Sequence, residues 1–124
     1  MLVYQTDVRG VELLMKTVAN AYTMYFNKKY KRRGPMFENV FRAVQIISDE
    51  QLQHITRYIH LNHWDYKQWA HSSYSDYLSA NREWIAPDRI LELFDSKMEY
   101  DEFVNDYEAL QRENDFLKAE LATY

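Results

Sequence analysis

The chain has no cysteine, and only two glycines and two prolines among its 124 residues. Without cysteine there is no disulfide framework, no thiolate zinc site and no thiol nucleophile. Average usage would place about 15 glycines and prolines together in this length. Four are too few for a turn-rich sandwich, a barrel or a low-complexity chain, so a mostly helical protein is expected. No apolar run reaches the roughly 18 residues of a membrane span, and no secretory leader pattern is present. The expectation is a cytoplasmic protein with a modest core and no membrane partner.

The charge that is present is unevenly placed. A formal net charge of −4 argues, taken whole, against nucleic acid. Yet residues 1–72 hold ten Lys/Arg against six Asp/Glu, while residues 73–124 hold five against thirteen. Five of the six positions from Lys28 to Arg33 are basic: Lys28, Lys29, Lys31, Arg32 and Arg33, broken only by Tyr30. Such a run can neutralise several phosphates, a sequence-independent and salt-sensitive source of affinity. It can also be a solvated helix end whose cations offset the macrodipole.

Periodicity places the elements. Met1–Gln5 reads as the end of a strand. Leu14, Val18, Tyr22, Tyr25 and Phe26 recur at three- and four-residue steps, which predicts a helix from about Val11 to Tyr30 with Asp7 as its N-cap. Gly34-Pro35 marks a loop, and the β-branched run Val40–Ile47 is the best strand candidate. Ser48-Asp49-Glu50-Gln51 has capping-box spacing and opens a second helix to about Asn62. An irregular aromatic stretch, His63–His71, precedes short helices over Ser73–Ala80 and Pro87–Asp95. A last helix begins near Ser96–Met98 and runs towards the end.

That last helix has a stripe of its own. Phe103, Tyr107, Leu110, Asn114, Leu117, Leu121 and Tyr124 alternate steps of four and three. With Tyr107, Asn114 and Leu121 at a positions, Asn114 would set register in a dimer, and Leu117 and Leu121 would line its seam. The same stripe would equally pack an ordinary amphipathic helix on its own core. A homodimer is therefore one alternative and a monomeric packing face the other.

Motif chemistry is sparse. His54, His60, His63 and His71 form no His-Glu-x-x-His zinc motif, and two glycines cannot build a phosphate loop. A serine triad has no nucleophile elbow here. On the second helix, His54, Tyr58 and Asn62 share one face, while Leu52, Ile55 and Ile59 supply the apolar face. A tyrosine hydroxyl one turn from a carboxamide oxygen can pair a nucleophile with a metal ligand, although most tyrosines simply bury a ring.

Three stretches in order carry a resemblance. They are Tyr25-Phe26-Asn27-Lys28-Lys29-Tyr30-Lys31-Arg32-Arg33-Gly34-Pro35-Met36-Phe37, Arg57-Tyr58-Ile59-His60-Leu61-Asn62, and Ser72-Ser73-Tyr74-Ser75-Asp76-Tyr77-Leu78. Over residues 1–110 the chain resembles the REP-associated tyrosine transposases, a branch of the single-tyrosine HUH superfamily. The resemblance implies an α+β, predominantly helical chain. It would hold a partial ferredoxin-like core over residues 1–80 and a helical extension over 81–124.

It also implies cleavage and joining of single-stranded, hairpin-forming DNA. Tyr58 would be the nucleophile, and Asn62 a ligand of Mg²⁺ or Mn²⁺ that polarises the scissile phosphate. Lys28, Lys29, Tyr30, Lys31, Arg32, Arg33, Arg42 and Arg57 would contact DNA, with aromatic rings stacking on unpaired bases. The family's His-hydrophobic-His metal strand has no counterpart in this sequence, and Met1-Leu2-Val3-Tyr4 resembles the stretch that follows it. The chain is accordingly expected to lack the family's N-terminal strands and to be inactive alone. The alternatives are a non-catalytic DNA-binding remnant and a helical dimerisation module.

Overall fold

The computed structural model describes residues 1–79 and 82–122, with side chains as far as Arg112. It is predominantly helical: α1 (Gly10–Tyr30), α2 (Asp49–His60), α3 (Tyr74–Ser79), α4 (Asp88–Leu91) and α5 (Lys97–Ala122). The chain forms two compact units, Met1–Gln45 and Ile46–Tyr124. Within the second unit α3 packs on α5.

In the first unit the cap of α1 falls two residues beyond the expected Asp7. Asp7 turns the chain just ahead of the helix, its Oδ1 accepting from the Arg9 N–H at 3.1 Å. Arg9 holds the cap position without a side-chain cap bond. The Gln5 side chain compensates, its Oε1 accepting from the Val11 N–H at 3.0 Å. At the other end Lys31 adopts the left-handed conformation with φ 51°. The N–H groups of Lys31 and Arg32 then both donate to the Asn27 carbonyl.

Neither predicted strand forms a ladder; among the described residues there is no strand. Val40, Val44 and Ile47 are more than 80% exposed in an irregular segment. The reason is that a strand is not a local conformation. Its N–H and C=O groups need a second edge, and a lone apolar segment leaves them to water. Helices close their bonds internally, which is why local periodicity located them better.

The second unit opens with the predicted capping box. Ser48 Oγ accepts from the Gln51 N–H at 3.2 Å, and Gln51 Oε1 accepts from the Ile47 N–H at 3.1 Å. The reciprocal bond thus falls one residue before the cap. α5 begins the same way: Ser96 Oγ accepts from the Glu99 N–H, and Glu99 Oε2 from the Asp95 N–H. Ser48→Ala should cost about 1 kcal/mol in a urea melt.

The other boundaries shift modestly. α2 stops at His60 with Leu61 as C-cap, and α4 is a single turn with Pro87 at the cap position rather than inside the helix. Between α2 and α3 the irregular stretch is organised by rings, His63 stacking on Trp69 at 4.1 Å and 15°.

The core lies where α2 and α3 meet α5. It is built from Tyr66, Tyr74, Tyr77, Ile90, Tyr100 and Val104, the last two fully buried. Phe103 and Tyr107, read as the start of a dimer stripe, face the guanidinium of Arg57 in the same unit. This part of the stripe serves the chain's own packing. The side chains of Asn114, Leu117 and Leu121 lie outside the described residues. Among the described residues no helix is long and apolar enough to cross a membrane.

Candidate functional site

The basic run sits at the C-terminal end of α1 and in the turn that follows. Lys28, Lys29, Tyr30, Lys31, Arg32 and Arg33 are all exposed, and none of the five cations has a carboxylate partner among the described residues. One or two cations suffice to offset a helix dipole. Five in six positions exceed that need, and they repel one another.

Aromatic rings interleave with the charges. Tyr30 lies 4.5 Å from Phe26, and Lys29 Nζ sits 5.3 Å from the Tyr30 ring and 5.8 Å from that of Tyr25. Phe37 folds back towards Tyr22 at 6.4 Å. Tyr25, Tyr30 and Phe37 nevertheless keep more than half their surface in water. Arg42 is exposed in the irregular segment of the same unit.

The tyrosine helix belongs to the second unit. Tyr58 is 56% exposed, and its hydroxyl has no hydrogen-bond partner among the described residues. Asn62 is also exposed, in the turn beyond the Leu61 C-cap. Arg57, expected on the DNA side, is instead buried against α5. Its Nη1 donates to the Phe103 carbonyl at 3.2 Å, and its Nη2 to His54 Nδ1 at 2.6 Å. The rings of Phe103 and Tyr107 lie 3.8 and 4.4 Å from its Cζ. Desolvation lowers the pKa of this guanidinium, yet two ring faces and two acceptors hold it in place.

The buried face of α2 is therefore polar: Thr56, Arg57 and His60 point inward, while Leu52, Ile55 and Ile59 are only half-buried. α5 offers this face a hydroxyl and a carbonyl as well as rings, so inward polar groups find partners there. Periodicity counts apolar side chains and cannot see such a match.

At its centre is a chain of hydrogen bonds. Thr56 Oγ1 donates to the Gln53 carbonyl at 2.7 Å and accepts from the Tyr100 hydroxyl at 3.1 Å. With its single proton so used, Tyr100 accepts from His60 Nε2 at 2.9 Å. His60 Nδ1 in turn accepts from Ser73 Oγ at 2.8 Å. Every donor is matched when the imidazole is neutral. Burial lowers the His60 pKa to about 4.

Ser73 and His60 resemble a nucleophile and base in atom type. An imidazole that resists a second proton is, however, a poor base at neutral pH. Sequence reasoning missed this network, since His60 and Tyr100 are 40 residues apart.

Two further buried sites are structural. The Tyr66 hydroxyl donates to Glu108 Oε2 at 2.8 Å, and that of Tyr74 to Asp101. Burial, reinforced by these bonds, raises both phenol pKa values and keeps them as donors. The Asp76 carboxylate, 1% exposed, lies 3.1 Å from Arg82 Nε, off the direction of the N–H bond. The contact is ionic rather than a directed hydrogen bond.

Asn62 is the residue expected to bind Mg²⁺ or Mn²⁺. Hard cations of this size take near-octahedral oxygen ligands, including one or two carboxylates. Asn62 brings one carboxamide oxygen, and no group of three metal-ligating His, Asp or Glu side chains occurs among the described residues. No protein-family model matches the chain, and no match is found among curated proteins or solved structures.

Proposed function

We propose that the chain binds single-stranded, hairpin-forming DNA as a relative of the tyrosine transposases it resembles. The observation that carries this reading is the exposed end of α1, where five cations without carboxylate partners alternate with aromatic rings. Phosphates would meet Lys28, Lys29, Lys31 and Arg33, while unpaired bases would stack on the open faces of Tyr25, Tyr30 and Phe37. The net negative charge does not oppose this, because its excess of carboxylates falls in residues 73–124 and the basic run in residues 28–33.

The finer architecture is part of the same reading. Met1–Gln5 and Val40–Ile47 would be strands of a partial ferredoxin-like core once a partner edge is supplied. The apolar stripe of α1, with Leu14, Val18 and Tyr22 all exposed, would cover that sheet. Tyr58 is the candidate nucleophile in this scheme, its exposed hydroxyl accessible to a phosphate. Asn62 is the candidate cation ligand that further oxygen ligands would have to join. The chain alone is a binding protein rather than a competent nuclease.

A fluorescent single-stranded hairpin oligonucleotide tests the reading. Binding at low salt should weaken with added NaCl, by about 0.7 log units per phosphate contact for each tenfold rise in salt. Tyr58→Phe should leave affinity unchanged, and incubation with Mg²⁺ or Mn²⁺ should yield little or no nicking. Absence of binding at low salt would sink the proposal. Robust cleavage lost in Tyr58→Phe would show that the chain is catalytic by itself.

A further inference from the structure

The basic turn is not a loose tail. Its shape is set by one asparagine. The Asn27 carbonyl accepts from the Lys31 and Arg32 N–H groups, its Nδ2 donates to the Gly34 carbonyl at 3.0 Å, and its Oδ1 accepts from Arg32 Nη1 at 3.1 Å. Arg32 closes the clasp by donating through Nη2 to the Pro35 carbonyl at 3.0 Å, with its Cζ 5.9 Å from the Phe26 ring.

Arg32 thus differs from the cations beside it. Its guanidinium is engaged by the chain's own acceptors, whereas Lys28, Lys31 and Arg33 make no side-chain bond to any acceptor among the described residues. The clasp also holds Lys31 at φ 51°, a left-handed conformation unfavourable for a residue with a Cβ. Like charges crowded on a strained turn oppose folding unless something else gains from the arrangement. A strand of phosphates gains from it, since preset cations bind without the entropy of ordering a loop.

We infer that Asn27 and Arg32 are positioning residues that preset the 31–35 turn for the backbone of single-stranded DNA, leaving Lys28, Lys29, Lys31 and Arg33 as its phosphate contacts. This rests on the DNA-binding reading above and adds what the basic run alone does not specify. A neutral residue contributes to affinity, and one of the five cations acts through geometry rather than charge.

Titrating a labelled hairpin-tailed single strand at several NaCl concentrations tests it. Asn27→Ala should weaken binding about tenfold while leaving the salt slope unchanged. Arg32→Lys, which keeps the charge, should do the same, and the double variant should lose no more than either single one. Lys31→Gln with Arg33→Gln should instead lower the salt slope by about 1.4.

Helix content by circular dichroism should hold in Asn27→Ala, because alanine is the better helix former. Wild-type binding with Asn27→Ala indistinguishable from it overturns the clasp and spares the DNA reading. Losses that multiply in the double variant also overturn it, since each residue then acts alone. A wild-type chain that binds no DNA at low salt overturns both.

Discussion

Between pH 7 and pH 4 the second unit should lose about 3 kcal/mol of stability through His60 alone. The folded imidazole takes its proton only near pH 4, because burial disfavours the cation, whereas the unfolded one takes it near 6.5. Within that window the unfolded chain binds more protons, so stability falls as the pH falls. Above pH 7 both states are neutral and the contribution vanishes; below pH 4 it is complete. Urea melts across pH 4–7, followed by tryptophan fluorescence, measure it directly. His60→Gln cannot titrate, so its curve should be flatter than the wild-type curve by that amount. It should also start lower at pH 7, since Ser73 and Tyr100 lose their partner. Parallel curves for the two proteins would show that His60 is not the buried neutral group described.

Arg82→Ala should cost the same unit about 3 kcal/mol. It strands the Asp76 carboxylate, which is 1% exposed and whose Oδ1 has no hydrogen-bond partner among the described residues. It also removes the two bonds from Arg82 Nη2 to the Ala70 and Ser72 carbonyls, at 2.6 and 3.0 Å, which fasten the turn before α3. The partial exposure of the arginine keeps the figure at the lower end of the range for buried pairs. Adding Asp76→Asn should restore part of the loss, because the stranded charge is then gone. A double variant no better than Arg82→Ala would place the whole effect in the two carbonyl bonds. Arg33→Ala, at an exposed position, should stay within about 0.5 kcal/mol of wild type.

The helices were legible where their signals are local. Ser48 and Gln51 announce α2, and Ser96 and Glu99 stand at the same spacing at the start of α5. The basic end of α1 was visible as a run of letters. Its clasp was not, since Asn27, Arg32 and Pro35 meet only once Lys31 turns left-handed. Arg57 was misplaced for a related reason. A charged residue beside a candidate nucleophile reads as a surface group until two aromatic rings on another helix are known to face it. The strand readings at Met1–Gln5 and Val40–Ile47 depended on partners that a local pattern cannot supply.

The near absence of glycine and proline thus determined, without help, that this protein is mostly helical, and the split in charge located its basic run. Both follow from properties that act over a few residues: backbone freedom, hydrogen bonds to the fourth neighbour, and the sign of a side chain. The tertiary structure decided what lies inside. It turned Thr56, Arg57 and His60 inward, left Tyr58 in water, and closed a core largely of tyrosines on polar partners. Such choices rest on donors and acceptors dozens of residues apart finding one another. Most buried polar groups here are tolerated because that match is made, and the Asp76 carboxylate is held instead by the charge of Arg82.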